Sequence, residues 1–202
     1  MNTTLAEPVT SPSTSTKDEP APVKSLASAM MVFLAGLMRL APSLKPPNVA
    51  PIGGMALFGG SRLPLWQAFL MQFICMAISD LILQRTLGWR GFDPWVYGSF
   101  AVYVLLGRLL RGSRSPVKIG AVSFAASTQF FLVTNFGFWL SPNGLYAPTL
   151  AGLIECYTAA LPFYGFTLAG DLGFCLVLFG AYDWLASVVM GRKRMPIEEA
   201  AR

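Results

Sequence analysis

The chain has 202 residues, of which 54% are hydrophobic and 12% are charged, and its formal net charge is +5. Soluble domains carry roughly 25% charged residues, so this chain has too few charges to cover a surface that faces water. A nucleic-acid partner is not expected either. Nucleic-acid-binding proteins gather Lys and Arg into one patch, whereas here these residues are scattered between apolar segments. The composition therefore predicts a single domain whose solvent is the lipid bilayer.

The two ends of the chain are predicted to be cytoplasmic tails. Residues 1–24 are rich in Ser, Thr and Pro and contain almost no large apolar side chains. They bury too little apolar surface to fold and are expected to be disordered. Residues 191–202 form the second tail, and residues 25–190 between them are predicted to form one transmembrane helical domain.

Seven apolar segments make up this domain. A helix that crosses the hydrocarbon core takes about 20 apolar residues. The third, fifth and seventh segments meet that length, and the first and fourth are shorter but within range. The second is short and contains Pro51 with four glycines, and the sixth carries Glu155 between Pro148 and Pro162. In chain order the segments are residues 25–41, 48–61, 63–83, 94–110, 117–140, 145–163 and 164–190.

The distribution of basic residues favours one arrangement of these segments. If every segment except residues 145–163 crosses the membrane, 11 of the 15 Lys and Arg residues lie on one side and 4 on the other. The side richer in Lys and Arg is cytoplasmic in membrane proteins. We therefore expect an all-α, multi-pass protein of the bacterial inner membrane with about six transmembrane helices and both termini in the cytoplasm. Residues 145–163 are expected to form an outer half-helix or a structured loop.

Small residues spaced by four positions mark surfaces where membrane helices approach closely. Such stripes occur on the second, fifth and last segments. They indicate either packing within the chain or docking onto a partner membrane protein, and the spacing alone fits both. The stripes are Ala56 with Gly60, Ala121 with Ala125, Ser123 with Ser127, and Gly165 with Ala169 and Gly173.

Polar side chains of several segments fall at one depth near the outer side in this topology. A charged group near the bilayer centre costs about 2.5–3.5 kcal/mol on insertion scales, so such groups usually face a cavity or a partner. Two interpretations stay open: an outward-facing pocket that binds a substrate, or an internal ion-pair network in which Arg39 contacts Asp80 or Glu155. The candidate substrate-binding residues are Arg39, Asn48, Asp80, Gln129, Asn135, Glu155, Tyr157 and Asp171.

The charges of these candidates also predict a ligand preference. Asp80, Glu155 and Asp171 supply three carboxylates, against one nearby cation on Arg39. A pocket in which all of them are ionised is net negative and favours a cationic or zwitterionic ligand.

The backbone around Asn48 is poor helix material, because Pro51 lacks a donor and glycines cost about 1 kcal/mol each in a helix interior. Irregular backbone in a bilayer survives only where protein or water satisfies it. Residues 47–54 are therefore predicted to avoid lipid, with Asn48 facing the pocket beside Asn135. In the alternative interpretation Asn48 is only the N-cap of a short helix whose first turn contains Pro51.

Catalysis and metal binding are not expected. The chain has no histidine, the commonest metal ligand and general base, and its three cysteines lie inside apolar segments without a Cys-x-x-Cys pair. We therefore expect no cofactor and no metal site, and the cysteines are interpreted as small apolar residues. An intramembrane enzyme is the least favoured interpretation, since it would use Glu155, Asp80 and Asp171 as acid and base.

Four stretches of the sequence are distinctive: PPNVAPIGGMALFGG at residues 46–60, Ile78-Ser79-Asp80, FFLVTNFGFWLS at residues 130–141 and ECYTAALPFYGFTLAGDLGFCLVLFG at residues 155–180. Together they resemble a family of bacterial transport proteins without an established substrate. That family is itself similar to the substrate-binding S components of energy-coupling factor transporters. The resemblance covers roughly residues 30–185.

This resemblance implies an S-component-like bundle of six helices that binds a vitamin or a metal ion near the outer face. It also implies association with a transmembrane coupling subunit and two ATPases. S components carry an alanine-x-x-x-alanine contact on the first helix, whereas this chain offers only Ser25 with Ala29 there. No Walker motif occurs in the sequence, so ATP hydrolysis by a P-loop is not expected of this chain.

The expected function is therefore capture of a small molecule by a membrane subunit of a transporter, without chemistry of its own. The alternative is an accessory or structural subunit of a larger membrane complex, which would use its small-residue stripes to bind other membrane subunits.

Overall fold

The computed structural model describes residues 21–40, 49–88, 91–141 and 145–193, with side chains described in these ranges from residue 26 to residue 188. The described residues form helices and connecting turns and contain no strand, which confirms the predicted all-α fold class. The helices are α1 Ala21–Leu37, α2 Ile52–Arg62, α3 Leu65–Leu87, α4 Pro94–Gly107, α5 Pro116–Leu140 and α6 Leu150–Lys193. Short 3-10 turns at Met38–Leu40 and Arg108–Leu110 extend α1 and α4.

The lengths and hydropathies of the helices are those of a membrane protein. Within the described ranges, three helices are long and apolar enough to cross a bilayer: Leu65–Leu87, Pro116–Leu140 and Leu150–Val188. Two shorter apolar helices, Leu26–Leu40 and Pro94–Leu110, accompany them. A bilayer crossing takes about 20 residues of helix, so the last two lie at or below the lower limit.

Several helix ends follow directly from the local sequence. Asp93 precedes α4, and one of its carboxylate oxygens accepts hydrogen bonds from Trp95 N at 2.8 Å and Val96 N at 3.3 Å. Ser115 caps α5 in the same way, accepting from Lys118 N at 3.3 Å. A proline follows each cap at the first helical position, where its missing donor is harmless. These caps fix the starts of the two helices that frame one side of the bundle.

Helix α2 lies at the centre of the bundle, and every residue from Ile52 to Ser61 is buried. Its 11 residues rise about 16 Å, roughly half of the 30 Å hydrocarbon core. The crossing of α2 with α4 depends on glycine. A Cβ atom on Gly60 would lie 2.1 Å from the Val104 carbonyl oxygen, and one on Gly107 would lie 2.4 Å from the Leu57 carbonyl oxygen. Backbone therefore contacts backbone here, and at Gly60 the small-residue stripe on α2 serves packing within the chain, one of its two interpretations.

The segment before α2 is described from Val49, and Val49 and Ala50 are half-buried. Pro51 and the helix residues up to Gly54 are buried, so this stretch does not face lipid. Pro51 itself occupies the N-cap position of α2. The interpretation of Asn48 as the N-cap is therefore wrong, because the N-cap lies three residues further on and the helix begins at Ile52. Asn48 and Pro47 lie outside the described residues.

The predicted break in the last part of the chain is absent. The expected outer half-helix at residues 145–163 and the final crossing at residues 164–190 form one continuous helix of 44 residues, Leu150–Lys193, with Pro162 inside it. At 1.5 Å per residue this helix is about 66 Å long. Neighbouring helices in a membrane protein can satisfy the backbone group that a proline frees, so Pro162 does not end the helix as its position in the sequence suggested.

One end of the bundle gathers basic side chains. Arg62 Nη2 donates to the Ser113 carbonyl at 3.2 Å, and Arg108 Nη1 donates to the Leu63 carbonyl at 3.1 Å. Arg114 forms an ion pair with Asp183, with 3.6 Å between Nε and Oδ1. We call the end that carries Arg62, Arg108 and Arg114 the basic end. Three helix boundaries that are far apart in sequence meet there.

Candidate functional site: a central cavity with a buried carboxylate

A cavity of about 360 Å³ lies among α2, α4, α5 and α6, and the end of α1 reaches its wall. Pockets for small molecules in proteins typically measure about 300–1,000 Å³. Most of the wall is aromatic or aliphatic, from Val49, Ala50, Ile52, Val96, Phe100, Phe130, Phe131, Ala160 and Phe163. The polar positions are Arg39, Tyr103, Thr134, Asn135, Tyr164, Thr167 and Asp171. We refer to this space as the central cavity.

Helices α5 and α6, which run antiparallel, form one side of the central cavity. Ser127 Oγ donates to Asp171 Oδ2 at 2.6 Å, and Tyr157 Oη donates to the Leu132 carbonyl at 2.8 Å. Between these two contacts α5 advances 5 residues and α6 advances 14, which corresponds to about 7.5 Å and 21 Å of helix. Thr128 Oγ1 and Tyr164 Oη lie 2.8 Å apart between these two contacts, so α6 follows a longer path than α5 over this stretch, which contains Pro162, while staying in contact with it. The space left between them is part of the cavity.

Asp171 is the only carboxylate among the lining side chains of the described chain, and just 3% of the residue is exposed. Its Oδ2 atom accepts two hydrogen bonds of 2.6 Å, from Tyr103 Oη and from Ser127 Oγ. Its Oδ1 atom lies against Gly53, where a Cβ atom would approach it to 1.9 Å. Glycine at the start of α2 therefore makes the room that the carboxylate occupies. Residues of α2, α4 and α5 together fix the position of Asp171.

Three aromatic rings stand beside this carboxylate. Phe100 contacts Tyr103 and Phe130, with ring centroids 5.3 Å and 5.1 Å apart, and Tyr103 meets Phe130 edge to face at 6.2 Å. All three residues line the central cavity. Since the Tyr103 hydroxyl donates to Asp171, the aromatic cluster and the carboxylate form one continuous wall. Such a wall offers one carboxylate joined through Tyr103 to an aromatic surface.

Arg39 is held in place by a separate polar group. Its Nη2 atom lies 2.6 Å from Asp80 Oδ1, and Asp80 Oδ2 accepts a hydrogen bond of 2.8 Å from Tyr97 Oη. Its Nη1 atom donates to the Met76 carbonyl at 3.2 Å and to Ser79 Oγ. The Arg39 and Asp80 side chains are only 15% and 13% exposed. The cation at the edge of the cavity therefore already has a carboxylate partner.

The family model for DUF6580, described as a family of unknown function, matches residues 21–195. This chain belongs to DUF6580. No curated protein and no solved structure matches it. The family match spans all six helices of the DUF6580 chain and every residue of the central cavity.

The structure brings together some of the residues that the sequence suggested. Arg39, Asn135 and Asp171 line the cavity of this DUF6580 protein. Asp80 lies behind the lining and forms an ion pair with Arg39. The predicted ion-pair network is therefore present in its Arg39–Asp80 form. Asn48 lies outside the described residues, although its neighbours Val49 and Ala50 line the cavity.

Besides Asp80, three further suggested residues do not line the central cavity. Gln129 donates to Ser99 Oγ at 3.3 Å, and Tyr157 donates to a carbonyl of α5. Glu155 is exposed. The three carboxylates expected to share one pocket are therefore distributed differently. Asp171 is in the wall, Asp80 is paired with Arg39, and Glu155 is elsewhere.

Tyr103, Ser127 and Gly53 complete the site but were not among the candidates. Ser127 stood out only as a small residue in a packing stripe, and Gly53 only as a helix breaker. Tyr103 gave no signal, because a tyrosine inside an apolar segment is common at membrane interfaces. Each gains its role from a contact with Asp171 across helices, which spacing along one helix does not reveal.

The chemical groups of the cavity wall are few. Within the described ranges, no three His, Cys, Asp or Glu side chains come together to hold a metal ion. The wall offers one carboxylate, two hydroxyl donors to it and aromatic surface. These groups can orient a small molecule through charge, hydrogen bonds and apolar contact.

Proposed function

We propose that this DUF6580 protein captures a small molecule inside the membrane and presents it to a transport system. The observation that carries the proposal is the central cavity, which combines a suitable volume, an aromatic wall and a buried carboxylate. A charged side chain kept within an apolar membrane domain is costly and usually marks a functional site. The resemblance to S components of energy-coupling factor transporters supports the same function.

The proposal includes a topology with about six crossings of the inner membrane and both termini in the cytoplasm. In this arrangement α2 provides about half of the second crossing, and the basic end faces the cytoplasm as the positive-inside rule favours. The cavity extends from Asp171 to Asn135, toward the end of α5 that is opposite the basic end. It would therefore open to the outer side, from which an imported substrate arrives.

The partners in this proposal are a transmembrane coupling subunit and its ATPases, because the chain has no Walker motif of its own. A docking face is available on α6. Gly165 and Gly173 have no atoms within 4 Å of the position of an added Cβ atom, and Ala169 between them is exposed. Small residues of this kind allow close helix contact within a membrane.

The test is retention of a small molecule by the purified protein. Ala160 lines the cavity, whereas its neighbour Ala159 is exposed and is not part of the wall. Liquid chromatography and mass spectrometry of extracts should find one non-lipid compound in wild type and in Ala159→Phe, and should find it strongly depleted in Ala160→Phe. Absence of such a compound from wild type, or equal retention in both variants, would contradict capture.

The topology has a separate test. Ser113 lies beside Arg62 at the basic end and should be cytoplasmic. In a chain without native cysteines, Ser113→Cys should react with a membrane-impermeant maleimide only after the cells are permeabilised. Asn143→Cys should react in intact cells. The reverse pattern would overturn the proposed orientation, while the retention experiment would still test capture.

A second candidate function, an accessory subunit of a membrane complex, is favoured by one observation. The same exposed stripe on α6 would serve docking to any membrane partner, and the Arg39–Asp80 ion pair already satisfies part of the polar wall. Constitutive co-purification with subunits that are not transport proteins, together with an empty cavity, would support this alternative over capture.

A further inference from the structure

We propose that the ligand of the central cavity is a small organic cation whose ammonium group binds at Asp171. This inference rests on the proposed capture function and names the chemical class of the captured molecule. The site it describes consists of the Asp171 carboxylate, its two hydroxyl partners and the adjoining aromatic cluster of Phe100, Tyr103 and Phe130.

The charges around the cavity favour a cation. Arg39 forms its ion pair with Asp80, so these two charges largely cancel. The other ion pair in the described part of the chain, Arg114–Asp183, lies at the basic end. Asp171 belongs to neither pair. Its partners are hydroxyl groups, which donate hydrogen bonds but carry no charge.

The groups that face Asp171 come from three neighbouring helices. Gly53 of α2 presents only backbone, Tyr103 of α4 and Ser127 of α5 present hydroxyls, and Cys175 one turn along α6 is buried and makes its contact to Ser123. None of them is a cation. A buried carboxylate is favourable only when it is paired and hydrogen-bonded. The hydrogen bonds are present within the protein, and a ligand would supply the missing positive charge.

The aromatic wall narrows the class from cations in general to organic cations. An ammonium group within about 6 Å of an aromatic ring is attracted to the face of the ring, and more strongly when the site is desolvated. Phe100, Tyr103 and Phe130 provide such surface next to the carboxylate. A hard inorganic cation such as Ca²⁺ is usually held by several carboxylates among its roughly six to eight oxygen ligands, whereas Asp171 is the one carboxylate of the described wall. An organic cation would also fill a space of about 360 Å³.

The sign of the potential in the cavity can be measured without knowing the ligand. Thr167 lines the cavity one helical turn from Asp171, and a cysteine there is nearly the same size. The probes are methanethiosulfonate reagents that carry a trimethylammonium, a sulfonate or a plain methyl group. They are applied to purified Thr167→Cys protein whose native cysteines are replaced by alanine. Each rate is divided by the rate of the same reagent with free 2-mercaptoethanol.

The normalised ratio of the cationic to the anionic rate should be raised at least about 10-fold, because a charged cleft with low-dielectric walls concentrates counter-ions by 10- to 1,000-fold. Adding Asp171→Asn should return the ratio to about 1, while adding Glu155→Gln on the exposed face of the same helix should leave it raised. If Asp171→Asn fails to fold, Thr134→Cys on the α5 wall gives a second reading of the same potential.

Two further outcomes separate this inference from the proposed function. A ratio near 1 in Thr167→Cys, with normal reaction of the neutral reagent, would overturn the cation assignment and leave capture of a small molecule standing. Failure of the neutral reagent to react at both Thr167→Cys and Thr134→Cys would show a cavity closed to small molecules. That result would overturn the capture function and the cation assignment together.

Discussion

The two halves of the bundle differ in how closely their helices pack. Around α2, at the basic end, glycines bring helix backbones into contact, and every residue from Ile52 to Ser61 is buried. Beyond Asp171, the helices α4, α5 and α6 surround a cavity of about 360 Å³. The halves meet where Gly53 of α2 touches the Asp171 carboxylate. A closely packed frame therefore forms the floor of an open site, which is a suitable arrangement for holding a ligand in a fixed position.

The largest effect should come from disturbing the packed half. Gly60→Val would push side-chain atoms into the Val104 carbonyl, which already lies 2.1 Å from the position of a Cβ atom. Because backbone cannot move aside easily, we expect destabilisation of about 3 kcal/mol or more. Gly165→Ala is the matched control, since nothing lies within 4 Å of that position. It should be neutral or stabilising by up to about 1 kcal/mol.

Unfolding in mixed SDS micelles would measure both variants. Equal stabilities for Gly60→Val and Gly165→Ala would mean that the close crossing of α2 with α4 is not present in the protein.

The junction of the two halves can be tested by a double-mutant cycle. Gly53→Ala places a methyl group 1.9 Å from Asp171 Oδ1, so alone it should destabilise the protein by about 2 kcal/mol. In an Asp171→Ala background the carboxylate is gone, and the same change should cost almost nothing. Residues in contact show coupling energies of about 0.5–3 kcal/mol in such cycles. Additive effects would show that the two residues do not touch.

Within the open half, the hydroxyl partners of Asp171 should have a smaller effect. Ser127→Ala removes one of the two donors to Oδ2 and should reduce stability by about 1.5–2 kcal/mol, since hydrogen bonds to charged groups contribute about 1.5–3 kcal/mol. Ser187→Ala on α6 removes an exposed hydroxyl that bonds only its own helix. That variant should stay within about 0.5 kcal/mol of wild type. A similar change in both variants would argue against the contact with Asp171.

The two ion pairs should differ in coupling energy, with the more buried pair coupled more strongly. Arg39 and Asp80 are 15% and 13% exposed at 2.6 Å, whereas Arg114 and Asp183 are 70% and 32% exposed at 3.6 Å. Exposed pairs contribute about 0.2–1 kcal/mol or nothing measurable, while charged partners shielded from water couple more strongly. Double-mutant cycles should give about 1 kcal/mol for the first pair and less than about 0.5 kcal/mol for the second. Equal coupling would contradict the difference in burial.

The sequence predicted the long helices well because their signal is local. The apolar segments at residues 63–83 and 117–140 correspond to Leu65–Leu87 and Pro116–Leu140, and length with hydropathy is sufficient to find them. The break near residue 163 was predicted from Pro148 and Pro162, although Pro162 lies inside a continuous helix. Whether a proline ends a membrane helix depends on its neighbours, which the sequence does not display.

The site was only partly predictable for a related reason. Charges are rare in apolar segments, so Arg39 and Asp171 could be found from the cost of placing them there. Tyr103 and Ser127 carry no such cost and gain their role only when α4 and α5 approach Asp171. The cavity itself depends on how α2, α4, α5 and α6 pack around it. No single segment encodes that packing, so the volume could not be foreseen.

The most direct test of the central claim is a crystal structure of the full chain grown from a lipidic mesophase without added ligand. We expect α6 to be continuous through Pro162 and both Tyr103 and Ser127 to donate to Asp171. The space beside Phe130 should stay open or hold density that is not protein. A structure in which α6 breaks near Pro162 and packs along α5, so that this space is filled by the protein's own side chains, would contradict this claim.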